Sequence, residues 1–232
     1  MKKIGFIGAY DKTDLIVYVA KILTTLGKKV LVIDSTQNQK ARYIIPVINP
    51  TTTYVTEYEE IDIAVGFDRV EDIKRYLGVA ENQELEYDVV FVDTDNADGI
   101  RKFNLEEAQK NYFVTSFDVY SLKKGLEALI GLRDVMSLKK VYFSKDAIKE
   151  DDDYLNFLSL GYKVAWNENR IYFPIENGDL SVIYENQRVA KIKFKKLSVQ
   201  YKDGLEYLAE EILGDISEMN IRRAIKTIER GV

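Results

Sequence analysis

The chain has 232 residues, 46% of them hydrophobic and 31% charged, with a formal net charge of −5. That length and balance suit one globular α/β domain over residues 1–232 with a full core, and the negative charge gives no bulk attraction to nucleic acid. Cysteine and histidine are both absent, which excludes disulfides, thiolate metal sites and any Ser-His or Cys-His nucleophile pair, and makes zinc catalysis very hard to build.

In chain order, residues 3–8 read as a strand. Residues 12–26 read as a helix, because Leu15, Ile16, Val19, Ile22, Leu23 and Leu26 recur at helical spacing and Gly27 supplies a stop. KVLVID (29–34) is an apolar strand, residues 53–66 hold one or two more, and 70–77 is a short helix. DVVFVD (88–93) is another buried strand. A helix is expected at 104–110, a strand at 111–115, a helix at 121–132, a strand at 139–143 and a helix at 154–160. Short strands follow at 162–166 and 171–173, then a polar, basic stretch at 182–196, a helix from about 203 to 213 and an amphipathic segment over 215–229. Continuous apolar strands between helices predict a mostly parallel central sheet with helices on both faces. No run of eighteen apolar residues is present, and Met1-Lys2-Lys3 leads straight into a strand rather than a signal peptide. A cytoplasmic protein is expected.

Ligands of such sheets bind at the carboxyl ends of the strands. Three of these ends carry acids or parts of a phosphate loop: GAYDKT (8–13), Asp34 and Asp93. In a phosphate loop the backbone N–H groups cradle phosphates, a lysine neutralises them and a Ser/Thr hydroxyl holds magnesium. A strand-end aspartate adds a second magnesium contact. Two readings of GAYDKTD (8–14) follow. In the first, Gly8, Lys12, Thr13, Asp34 and Asp93 hold Mg-ATP, with Thr13 and Asp93 toward the metal. In the second, Asp11 caps the helix from within, and Lys12 pairs with an acid such as Asp93 or Asp34 in place of a phosphate. The second is favoured, since Asp11 faces the phosphate position and two like charges at ~4 Å repel by roughly 1–4 kcal/mol. No cofactor and no resident metal are then expected.

The order of these motifs resembles the MinD/ParA family of deviant phosphate-loop ATPases over almost the whole chain. The family loop K-G-G-x-G-K-T-T falls on residues 7–14, its following strand on LGKKVLVID (26–34), and its D-T-P-P-G on Asp93-Thr94-Asp95-Asn96-Ala97. NYFVTSFDVYSLKKGLEAL (111–129), FPIENGDLSVIYENQ (173–187) and LEYLAEEIL (205–213) are similar to its later elements. Among subfamilies the chain looks most like the TadZ/CpaE branch, which serves the assembly or polar placement of Flp-type pili and whose loops are often degenerate. The departures bear on chemistry. Ile7 replaces the family lysine that reaches across a nucleotide-sandwich dimer, and Ala9 and Asp11 replace glycines. Thr36 stands where an aspartate helps position water, and Ala97 stands at the γ-phosphate-sensing glycine. VYFSKD (141–146) has no match to the base-reading asparagine.

The resemblance with these losses implies a pseudo-ATPase scaffold or localisation factor, with protein partners in a pilus or secretion apparatus and a possible homodimer. The alternatives are an active switch for partition or positioning of DNA or a cellular machine, and a nucleotide sensor that binds without hydrolysis. Asp95 and Asp98 read as solvated loop acids rather than cation ligands, and KEDDD (149–153) as a helix start. RVAKIKFKK (188–196) reads as an edge strand with a lysine face rather than a nucleic-acid or lipid patch. The segment 215–232 places Ile216, Met219, Ala224, Ile225 and Ile228 near one side. It is expected to dock on its own domain or on a partner, with peripheral membrane contact as the alternative.

Overall fold

Strand residues alternate between two apolar faces, and the molecule is layered accordingly. The computed structural model describes residues 1–47, 51–80, 82–144, 149–174 and 177–231. The elements are β1 (Lys2–Ile7), α1 (Thr13–Thr25), β2 (Val30–Asp34), α2 (Ala41–Ile44), β3 (Tyr54–Tyr58), β4 (Ile61–Val65), α3 (Val70–Tyr76), β5 (Val89–Thr94) and α4 (Ala97–Lys102). A 3-10 turn at Leu105–Glu107 follows, then β6 (Lys110–Thr115), α5 (Val119–Glu127), β7 (Met136–Phe143), α6 (Lys149–Leu158), β8 (Val164–Phe173), α7 (Asn177–Val189), α8 (Val199–Leu213) and α9 (Glu218–Arg230).

Among the described residues the strands form one eight-stranded sheet in the order β3-β4-β2-β5-β1-β6-β7-β8. All neighbours run parallel except the β3–β4 hairpin. Burial on both faces is why β2 and β5 read as unbroken apolar runs. Phe6, Val32, Phe91 and Tyr112 face α1, α8 and α9, whereas Ile7, Ile33, Val92 and Phe113 face Ile73 of α3, Ile100 of α4 and Leu122 and Leu126 of α5. Helix α1 is buried around most of its circumference because it lies between the sheet, α8 and α9. The predicted fold class is the observed one.

Several local expectations are corrected. The helix expected at 104–110 is a single 3-10 turn, and the α-helix lies upstream as α4. Asn96 starts it by accepting the Gly99 N–H at 2.8 Å, and Asn104 ends it in the left-handed region (φ 52°). The helix expected over 121–132 ends at Glu127, beyond which i→i+3 bonds tighten the chain toward Gly131. The two short strands at 162–166 and 171–173 are one strand, β8, with a bulge that sets Trp166 opposite Leu138 and Arg170 opposite Lys140.

The edge strand expected at 188–196 is absent. Arg188 and Val189 close α7, Ala190 turns at φ 50°, and the remainder crosses the helical face of the molecule. The period-two pattern is real, but it buries Ile192 and Phe194 against helices instead of pairing in the sheet, with Phe194 edge-on to Tyr18 of α1. Lys191 and Lys196 are paired with Glu59 and Glu185. The C-terminal helix α9 buries Ile221, Ala224, Ile225 and Ile228 against α1 and α8, while Met219 is exposed. The apolar side that a lipid contact needs is thus used inside the fold. No described helix is long and apolar enough to cross a membrane. Residues 145–146 of VYFSKD, residues 175–176 of the 173–187 segment and Val232 lie outside the described residues, as do the side chains at 149–151.

Candidate functional site

The loop at residues 8–12 leaves the carboxyl end of β1, in the middle of the sheet, and enters α1. Gly8 makes this exit. Its φ is +138°, and a Cβ there would lie 2.2 Å from the Val114 carbonyl oxygen of neighbouring β6. Parallel registry aligns Asp34 with Asp93 at the ends of adjacent β2 and β5, and sets Asp93 beside Phe6 of β1. Lys12, Thr13, Asp34 and Asp93 are all buried there.

Lys12 turns back on its own loop. Its Nζ is 2.8 Å from Asp93 Oδ1 and donates to the Gly8 carbonyl oxygen at 2.8 Å. Thr13 Oγ1 donates to Asp93 Oδ2 at 3.2 Å. Of the two acids open to Lys12 in the sequence, Asp93 is the partner. Asp34 instead accepts from the Thr36 N–H at 3.0 Å, the Thr36 hydroxyl at 2.6 Å and the Ala41 N–H at 3.0 Å, so it orders the turn into α2. Burial raises the Asp93 pKa, Lys12 pulls it back, and neighbouring Asp34 raises it further, leaving it at about 6.

Asp11 accepts from the Thr13 N–H, the first of α1, at 3.3 Å. The sequence did not reveal its second partner. Lys40, between β2 and α2, places Nζ 2.6 Å from Asp11 Oδ2 and 2.6 Å from Asp14 Oδ2. Burial lowers the Lys40 pKa, but the charges of Asp14 and Asp11 outweigh it and hold the ammonium above its ordinary value. Gln187 of α7 donates to both Asp14 oxygens at 2.8 and 2.9 Å. Tyr10 stacks on Phe143 at the end of β7, with ring centroids 4.8 Å apart. Lys40 and Gln187 escaped the sequence reading because their contacts span 26 or more positions and carry no local pattern.

The remaining positions are also engaged. Ile7 is buried in β1 with its side chain in the core. Asp95 Oδ1 accepts from the Gln37 N–H at 3.0 Å and the Asn96 amide at 2.8 Å, while Asp98 pairs with Arg101. Among the described residues no group of three His, Cys, Asp or Glu side chains could hold a metal ion. The cleft lined by Gly8–Thr13, Thr36, Lys40, Tyr43, Asp93 and Asp95 has a volume of about 280 Å³, just below the ~300–1,000 Å³ usual for small-molecule pockets. Thr13 and Asp93 are the oxygen donors that could hold a nucleotide-bound magnesium, and Lys12 is the cation that could meet phosphate once it releases Asp93.

No protein-family model matches the chain, and no curated protein matches it. Solved structures do. The MinC:MinD cell division complex of Aquifex aeolicus superposes with a TM-score of 0.56 at 15% identity, over 94% of this chain and 98% of that one. A Cyanothece McdA–ATP complex gives 0.58 at 11% identity over 94% and 98%. A ParA-family ATPase from Chlorobium tepidum gives 0.52 at 12% identity over 98% and 97%. The chain therefore has the α/β fold of the MinD and ParA phosphate-loop ATPases.

Proposed function

We propose that this protein is a positioning or scaffold factor on the MinD/ParA fold, which acts by protein–protein recognition and does not turn over ATP. The observation that carries this reading is the engagement of Lys12: its ammonium is held by Asp93 and the Gly8 carbonyl, and Asp11 occupies the loop beside it. A catalytic phosphate loop presents its lysine to the β- and γ-phosphates, whereas here that charge is neutralised from within. Thr36 is bonded to Asp34 and its own turn, so it supplies no acid to a water. The similarity to a MinD bound to MinC supports a fold suited to protein partners. The sequence resemblance to the TadZ/CpaE branch supports a setting in pilus or secretion-system assembly, with any dimer held in one state instead of cycling.

A second reading, a nucleotide-binding switch that does not hydrolyse, is favoured by the convergence of Lys12, Thr13 and Asp93 at one strand end. Phosphate release from saturating Mg-ATP tests the first reading. Turnover no greater than that of Lys12→Ala is expected, and turnover clearly above that control would overturn it.

A further inference from the structure

Two lysines line the cleft at the end of β1, and both are neutralised inside the chain. The pairs differ in kind. Lys12 and Asp93 are sealed, each side chain 2% exposed. Lys40 is the outer cation, 27% exposed, and it is shared between Asp11, 55% exposed, and Asp14, 18% exposed. Only the Asp11 arm of this bridge is open to water, and an ion pair so placed is screened and easily broken. Asp14 keeps the two Gln187 bonds without Lys40. The Asp11 carboxylate bridges the Thr13 N–H of the loop and the Lys40 ammonium arriving from beyond β2. The cleft lining thus sets three carboxylates, Asp11, Asp93 and Asp95, against two ammonium groups, Lys12 and Lys40.

We propose that Asp11 and Lys40 form an autoinhibitory latch over the loop. Asp11 draws Lys40 against the helix N-terminus and puts a negative charge where a polyphosphate would sit. In doing so it masks a second cation that, beside Lys12, suits a polyphosphate anion. Releasing the Asp11 charge balances the cleft and leaves Lys40 with Asp14 as its one carboxylate partner, so that the ammonium can turn toward an anion at the N-terminus of α1. This inference rests on the reading that the wild-type loop is closed to nucleotide.

The test is calorimetric titration of Mg-ATP, and separately of inorganic triphosphate, into the wild type, Asp11→Asn and Asp11→Asn/Lys40→Met. Asparagine retains an acceptor for the Thr13 N–H, and the melting temperature of each variant verifies its fold. If Asp11→Asn melts early, Asp11→Ser takes its place. The expected result is an affinity at least about tenfold higher in Asp11→Asn than in the wild type, a gain of ~1.4 kcal/mol, and lost in the double variant. A folded Asp11→Asn that binds no better than the wild type would overturn the latch, as would a gain that survives Lys40→Met. The wild-type affinity judges the closed-loop reading separately. Tight wild-type binding sinks that reading, while the ratio between variant and wild type judges the latch.

Discussion

Lys12 Nζ lies 2.8 Å from Asp93 Oδ1 in a pair that water does not reach. Removing one partner of such a pair strands the other charge in the interior, at a loss of ~3–5 kcal/mol. Lys12→Met is therefore expected to lower the urea-unfolding free energy by about that much with no nucleotide present, and Lys12→Met/Asp93→Leu to recover most of the loss. A stability-neutral Lys12→Met would contradict the pairing. The Lys12→Ala control for nucleotide work needs the same check of folding.

The pH dependence of stability carries a mark of Asp93. Its folded pKa, about 6, lies above its ordinary value of 3.8 because of burial and the charge of Asp34. Between those values the native state binds more protons at this group than the unfolded chain does, so its contribution to stability falls as pH rises from about 4 to about 6. Asp152 works in the opposite sense. Burial alone would raise its pKa, but hydrogen bonds from Lys140 and Tyr142 and the charges of Lys140 and Arg170 hold it below the ordinary value. Its contribution is present above about pH 4 and is lost on acidification below that. In Asp93→Asn, stability measured by urea midpoints is expected to rise more steeply, or fall less, from pH 4 to 6 than in the wild type. Identical slopes would contradict the raised pKa.

Gly8 is fixed by backbone geometry at φ +138°, with the Val114 carbonyl where a Cβ would go. Gly8→Ala is expected to cost more than ~1 kcal/mol, the scale of forcing a side chain into an incompatible conformation, read as a lower melting temperature. An unchanged melting temperature would show that the exit from β1 relaxes freely.

The apolar face of α9 is committed to the fold. Ile225 packs with Ile221 and Ile228 in the core shared with α1 and α8. Ile225→Ala is expected to destabilise by ~2–5 kcal/mol, and the wild type is expected not to sediment with vesicles of phosphatidylglycerol. Vesicle binding without loss of the α9 packing would contradict this placement.

The layer architecture was legible because each buried strand is a continuous apolar run and α1 keeps its spacing of Leu15, Ile16, Val19, Ile22 and Leu23. Lys12, Thr13 and Asp93 were legible as a group because a parallel sheet brings the carboxyl ends of neighbouring strands, here β1 and β5, to one side. The stretch at 188–196 misled because Ile192 and Phe194 alternate with lysines as strand residues do, yet their apolar partners are helices. Helix α7 was missed because Val182, Ile183 and Tyr184 suit a strand equally well, and only tertiary contacts such as the Asn186 amide to the Tyr18 hydroxyl (2.8 Å) decide the matter. The Lys40 bridge has no sequence signature, because ion pairs between distant loops depend on where the sheet carries each loop.

The measurement that bears most directly on the central claim is calorimetric titration of the wild-type protein with Mg-ATP, beside Lys12→Ala. A loop satisfied by Asp93, Asp11 and Lys40 predicts no binding heat at high-micromolar protein and an unchanged melting temperature in excess Mg-ATP. Micromolar binding that disappears in a folded Lys12→Ala would contradict the account and make the protein a nucleotide-dependent switch.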